Sequence, residues 1–283
     1  MSEEKATVLL ILLAFILSVS LVVTPRAISQ MGIGFFSMSR FLIAYLLVSI
    51  IYRADIRSIK FKDIARGITL GCLIFLLYLS QGIFLPKGSP LEEAVFLSFS
   101  VVLIPFLSIP ILKVIPLKRE IAAIVTCIIG LCLLWTGFDI VGIASAILIA
   151  LHIVLTANFV KKSNPVHLVV VQTATATLCS IFVYNKAILP GMGLISWVVV
   201  FYAALFVTAW GLLIQTRAQI VASPVKVGLI FALQPCFVGL IWIFLGLYQP
   251  SGRELIGIAL ILAGLAVVWR DWGKNGGLNP APE

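Results

Sequence analysis

The chain has 283 residues, of which 61% are apolar and 11% charged, with a mean hydropathy of +1.18. Soluble domains are roughly half apolar and a quarter charged, so a soluble globular protein is excluded and a membrane protein expected. The net charge of +9 does not point to nucleic acid, because the basic residues form no patch interleaved with aromatics and lie between apolar runs.

A helix crossing about 30 Å of hydrocarbon needs roughly 20 residues. Apolar runs of that order fall near 6–24, 37–52, 65–85, 90–112, 120–136, 141–160, 166–184, 195–215, 224–247 and 253–270. The expected fold class is therefore an all-α integral membrane protein with ten transmembrane helices. Period-2 alternation, the mark of a membrane β-barrel, is missing from these runs. The first run follows an acidic start at Glu3 and Glu4 and lacks a small-residue cleavage site, so it is expected to be a span and not a removable signal.

Start signals support several boundaries. Ser89-Pro90 with Glu92 and Glu93 reads as an N-cap, a proline at the first helical position and acids facing the positive end of the helix dipole. Ser223-Pro224 repeats that signal. With both termini inside, fifteen of the 20 Lys and Arg residues fall on the cytoplasmic side and five, Arg26, Arg40, Lys87, Lys186 and Arg253, on the other. That asymmetry is the positive-inside pattern.

The segments PLKRE (116–120) and PSGRE (250–254) stand 134 positions apart, and that offset aligns Ser89–Trp135 with Ser223–Trp269 without a gap. Pairs of residues that are rare in this composition coincide, including Pro116/Pro250, Arg119/Arg253, Glu120/Glu254, Gly130/Gly264 and Trp135/Trp269. Each copy holds five spans, an odd number, so the second copy enters the membrane upside down. The expected organisation is a first five-helix repeat over 1–137 and an inverted second repeat over 138–283, ending in a short tail from about 271. Inverted repeats place a solute site near the midplane and let one half rock against the other.

Catalytic and metal constellations are not found. The two histidines, His152 and His167, have no Cys, Asp or Glu at ligand spacing, and no Walker loop occurs, so neither a metal, a cofactor nor ATP hydrolysis is expected. Five cysteines lie within apolar runs and read as small core residues. Attention falls instead on polar side chains at mid-span, each of which needs a partner or a wet cavity. Ser18, Tyr78, Gln81, Ser98, His152, Trp210 and Gln234 are the candidate solute-binding residues. His152 is open to two readings, a helix-to-helix hydrogen bond or a place in the cavity. Arg40 at the outer end of the second span either snorkels to the headgroups or faces the cavity mouth, and Pro105 and Pro235 interrupt spans four and nine as candidate gating points. Gly67 and Gly71, and Gly257 and Gly264, are spaced for close helix approach.

The phrases AVFLSFSVVLIPFLSIPIL and REIAAIVTCIIGLCLLW, with their partners QTRAQIVASPVKVGLIFALQPCFVGLIWIFLGL and ELIGIALILAGLAVVW, resemble the two halves of an EamA-type protein of the drug/metabolite transporter superfamily. Arg40-Phe41 at the start of span two is also similar to that family's pattern, with Gln172 at the matching place in the second half. The resemblance implies ten helices in two inverted repeats and the movement of small organic metabolites such as amino acids across the bacterial inner membrane. The partners expected are a small-molecule solute and the lipid bilayer, as a monomer or homodimer. A zwitterionic or amphipathic solute fits best, since no buried charge stands out to match a strongly charged one. A flippase of a lipid-like molecule and a noncatalytic membrane scaffold or sensor are the alternatives.

Overall fold

The computed structural model describes residues 1–135, 137–184 and 193–269. The tail expected from about 271, and Lys186, Arg270 and Lys274 of the charge count, lie outside the described residues.

The described chain is helical, with no β-strand among its elements. In order these are α1 (Glu3–Met31), α2 (Ile33–Ile51), the short α3 (Arg53–Ile56), α4 (Phe61–Phe84), α5 (Pro90–Ser98), α6 (Ser100–Leu112), α7 (Lys118–Leu134), α8 (Ile140–Val160) and α9 (Pro165–Phe182). They continue with α10 (Leu194–Tyr202), a π-helical segment (Ala203–Trp210), α11 (Gly211–Ala218), α12 (Pro224–Phe231), α13 (Gln234–Phe244) and α14 (Gly252–Trp269). Eight helices, some of them built from two or three consecutive segments, are long and apolar enough to cross a membrane. α7 and α14, with 17 and 18 residues, pack against each other, and counting them as spans gives the ten expected.

Helix ends follow local chemistry. α1 starts earlier than the apolar run because Ser2 caps it, accepting from the Lys5 amide, and it passes through Pro25 before stopping at Gly32. Gly32 holds φ 74°, a left-handed conformation that costs glycine little, and separates α1 from α2 by one residue. Ser89 and Ser223 both accept the amide three residues on, from Glu92 and Lys226. Glu120 and Glu254 each reach back to the backbone amide three residues before them, at 2.8 and 2.7 Å.

The 134-residue offset is carried into element boundaries. α5 and α12 begin at Pro90 and Pro224, α6 and α13 at Ser100 and Gln234, and α7 and α14 at Lys118 and Gly252. Spans four and nine are thus both broken, at Phe99 and at Ala232–Leu233. Pro235 fits the second break, because it has no N–H to donate to the carbonyl four residues back. In the first half Val101 occupies the matching place, and the break persists. Pro105 and Pro110 lie inside α6 and do not interrupt it, so the break in span four falls upstream of where the prolines place it.

The two halves interlock. α9 packs on α2 and α4, α8 on α4, α5 and α6, and α1 on α10, α11 and α13. One apolar core joins α1, α5, α6 and α7 to α8, α12, α13 and α14, and a second joins α1, α2, α4 and α5 to α9, α11 and α13. α4 approaches α9 closely because Gly67 and Gly71 lack a side chain where Val171, Thr175 and the Gln172 backbone pass. At the α3 and α4 end His167 joins the Asp63 carboxylate through Nδ1 (2.9 Å) and the Asp55 carbonyl through Nε2 (2.9 Å).

A candidate solute cavity between the two halves

The interlocking leaves space where α1 and α4 meet α5, α8, the π-helical segment, α11, α12 and α13. This cavity encloses about 630 Å³ when the open space at its mouth is included. Its walls are largely apolar, from residues such as Leu17, Leu77, Leu212 and Phe231, and its polar groups are Ser20, Tyr78, Gln81, Gln215 and Gln234. A smaller chamber of about 310 Å³ shares Ser20, Leu21, Tyr78 and Gln81 with it and is completed by Thr24, Ser37 and Arg40. That chamber lies toward the end of the bundle where α1 and α4 finish and α2 begins.

The candidate residues divide. Tyr78, Gln81 and Gln234 line the main cavity together. Ser18 is buried behind the wall, its hydroxyl donating to the Ala14 carbonyl at 2.8 Å and lying 3.3 Å from the Gln234 carbonyl. Ser98 is likewise buried and donates to the Ala94 carbonyl at 2.7 Å. His152 lies between α8 and α9, with Nε2 3.1 Å from Gln172 Oε1, so the expected counterpart of Arg40 is committed to the histidine. Trp210 is 52% exposed and stacks edge-on with Phe206, outside the lining of both chambers. Pro105 and Pro235 are buried at the broken spans and are not themselves among the residues lining either chamber.

Arg40 does not snorkel. Its side chain is 2% exposed, with Nε donating to Thr208 Oγ1 at 2.7 Å and the guanidinium carbon 3.6 Å from the centre of the Tyr78 ring. Thr208 belongs to the π-helical segment, and its hydroxyl donates to the Ala203 carbonyl five residues back, at 2.9 Å. That donation leaves a lone pair for Arg40. Single π turns are rare and cluster at functional sites, and nothing in the sequence periodicity signalled this one.

Ser20 and Gln215 are cavity groups that mid-span polarity could have brought forward. A further difference concerns buried charge. Glu93 is fully buried in α5, with neither carboxylate oxygen hydrogen-bonded, while its neighbour Glu92 caps the helix by accepting from the Ser89 amide at 2.8 Å. Lys226 is buried as well, 2.8 Å from Glu3 Oε1. Adjacent residues on a helix point about 100° apart, so one of two neighbouring acids could cap and the other had to turn inward.

The model of the EamA-like transporter family matches twice in succession, over residues 4–136 and 137–270. The chain belongs to the EamA-like transporter family. It is therefore a multi-pass membrane protein of a family that transports small solutes. Among solved structures 29 chains match. One, described only as a crystal structure of a protein, shares 18% identity over 95% of this chain and 99% of its own, with a TM-score of 0.72. At that identity the likeness concerns the EamA fold alone. No curated protein matches the chain.

Proposed function

We propose that the protein is a secondary transporter that carries a small organic solute, amino-acid-like or amphipathic, by alternating access across a bacterial inner membrane. Its halves, 1–137 and 138–283, are read as inverted five-helix repeats with both termini on the cytoplasmic side. The observation that carries the reading is the cavity itself. It takes Ser20, Tyr78 and Gln81 from the first half and Gln215 and Gln234 from the second, so relative motion of the halves changes its access.

The breaks at Phe99 and Ala232–Leu233 support this reading, because broken helices concentrate bending at two symmetry-related points beside the cavity. Tyr78, Gln81 and Gln234 supply ring face, amide donor and amide acceptor to a solute whose apolar part rests on the leucine wall. The full chain in proteoliposomes, preloaded with unlabelled solute, tests the reading by counterflow, which needs no driving ion. A panel of amino acids and small amphipathic metabolites should include at least one that is accumulated above empty liposomes. Background counterflow across the whole panel by correctly inserted protein would refute transport of this class.

A further inference from the structure

Arg40 lies seven residues into α2, roughly 10 Å along the axis from Ile33. Its guanidinium is buried, and its Nη2 has no hydrogen-bond partner. Among the described residues no carboxylate stands within ion-pair distance of it. Two groups partly compensate the charge, the Thr208 hydroxyl and the Tyr78 ring face, and both are neutral. A full charge taken out of water is costly unless an opposite charge and further hydrogen bonds meet it. The fold nevertheless fixes this one firmly, using an α2 side chain, the ring of an α4 tyrosine and a hydroxyl whose direction the π turn sets.

The missing opposite charge has a place to come from. Arg40 lines the smaller chamber, which shares Ser20, Tyr78 and Gln81 with the main cavity, so an anionic group bound there stays continuous with a body lying between Leu77 and Leu212. A planar guanidinium suits a carboxylate in particular, offering donors in a fork that matches two oxygens. Across the main cavity, Gln234 Oε1 is a buried acceptor without a partner.

Resting on the transport reading above, we propose that Arg40 is the carboxylate subsite of the cavity. The carried solute is a small organic carboxylate, the class within which an α-amino acid and its primary amide differ only at the group that Arg40 would hold. This reverses the expectation from sequence that no buried charge selects the solute.

The test compares each of a series of α-amino acids with its own primary amide, which keeps the side chain and amine and loses the carboxylate. Binding is read as the shift in thermal unfolding of the full chain in lipid nanodiscs, titrated to an apparent Kd, with inorganic phosphate as the control anion. At least one amino acid should bind wild type at least tenfold more tightly than its amide and than phosphate. Arg40→Gln should weaken that amino acid at least tenfold and leave the amide unchanged, with Arg40→Lys between. The wild-type comparison needs no variant to fold. Equal binding of acids and amides, equal protection by phosphate, or an equal effect of Arg40→Gln on acid and amide would each overturn the subsite. Binding and counterflow of amides or other uncharged solutes with carboxylates excluded would overturn it while leaving the transporter reading intact. No binding of either series together with background counterflow would overturn both.

Discussion

Replacing Gly130 by alanine tests how the two outer helices are held. A Cβ built at Gly130 would lie 2.6 Å from the Gly257 carbonyl oxygen and 2.9 Å from Ile261 Cγ1, whereas ordinary contact begins at 3.4 Å. α7 and α14 must then part by about 0.8 Å at this point, and a gap of that order forfeits a quarter to a half of each dispersion contact nearby. Overpacking of this kind costs about 1–3 kcal/mol, while the better helix propensity of alanine returns about 1 kcal/mol. Gly239→Ala is the matched control, since nothing but Tyr248 Cε1 at 3.9 Å comes near its Cβ, and it should keep the gain. Thermal unfolding in one detergent should therefore place Gly130→Ala several degrees below Gly239→Ala, with the parent between or level with the lower. A Gly130→Ala midpoint at or above that of Gly239→Ala would show that the helices do not depend on this approach.

Glu93→Met removes a buried carboxylate with no hydrogen bond and keeps much of its shape. It should raise the unfolding midpoint by the equivalent of about 1–3 kcal/mol, and a fall would mean that a partner of the carboxylate matters. His152→Leu leaves Gln172 without its 3.1 Å partner and should lower stability by about 1–3 kcal/mol. The apparent Kd of a bound amino acid should change by less than threefold, and a tenfold loss would put the imidazole in contact with solute. Single cysteines at Lys118 and Gly252, in a cysteine-free background, should react with an impermeant maleimide from opposite faces of the membrane, and labelling of both from one face would remove the inverted repeat.

Much of the architecture was legible because hydropathy, caps and repeat all act locally. Ser89 and Ser223 announce their helices through a side chain and an amide three residues apart, and PLKRE and PSGRE mark symmetry without any knowledge of packing. The break at Phe99 was not legible, since Val101 stands where the matching break in the second half has Pro235. The π turn at Ala203–Trp210 escaped as well, because an apolar run has no strong period to reveal one extra residue per turn. Site residues were harder still. Mid-span depth selects Ser18, Ser98, His152 and Trp210 as readily as Tyr78, Gln81 and Gln234, and only the rotation of each helix about its axis separates those that face the cavity. Sequence left Arg40 between the headgroups and the cavity mouth, because its burial depends on Tyr78 and Thr208, which arrive from α4 and from the second half.

The pairing of α7 with α14 also orders the biosynthesis of the protein. α7 runs antiparallel to α14, its Gly130 against Gly257 and its Cys127 against Gly264, and Arg253 closes the end by donating to the Cys132 and Trp135 carbonyls at 3.1 and 3.2 Å. The ribosome must make four more membrane spans after Leu134 before that partner emerges at Gly252. Until then the glycine face of α7 meets lipid, or whatever the insertion machinery supplies. Completion of this pair thus waits until α14 is inserted, and a gene split after the first repeat would yield two polypeptides that each lack the helix the other was built to receive.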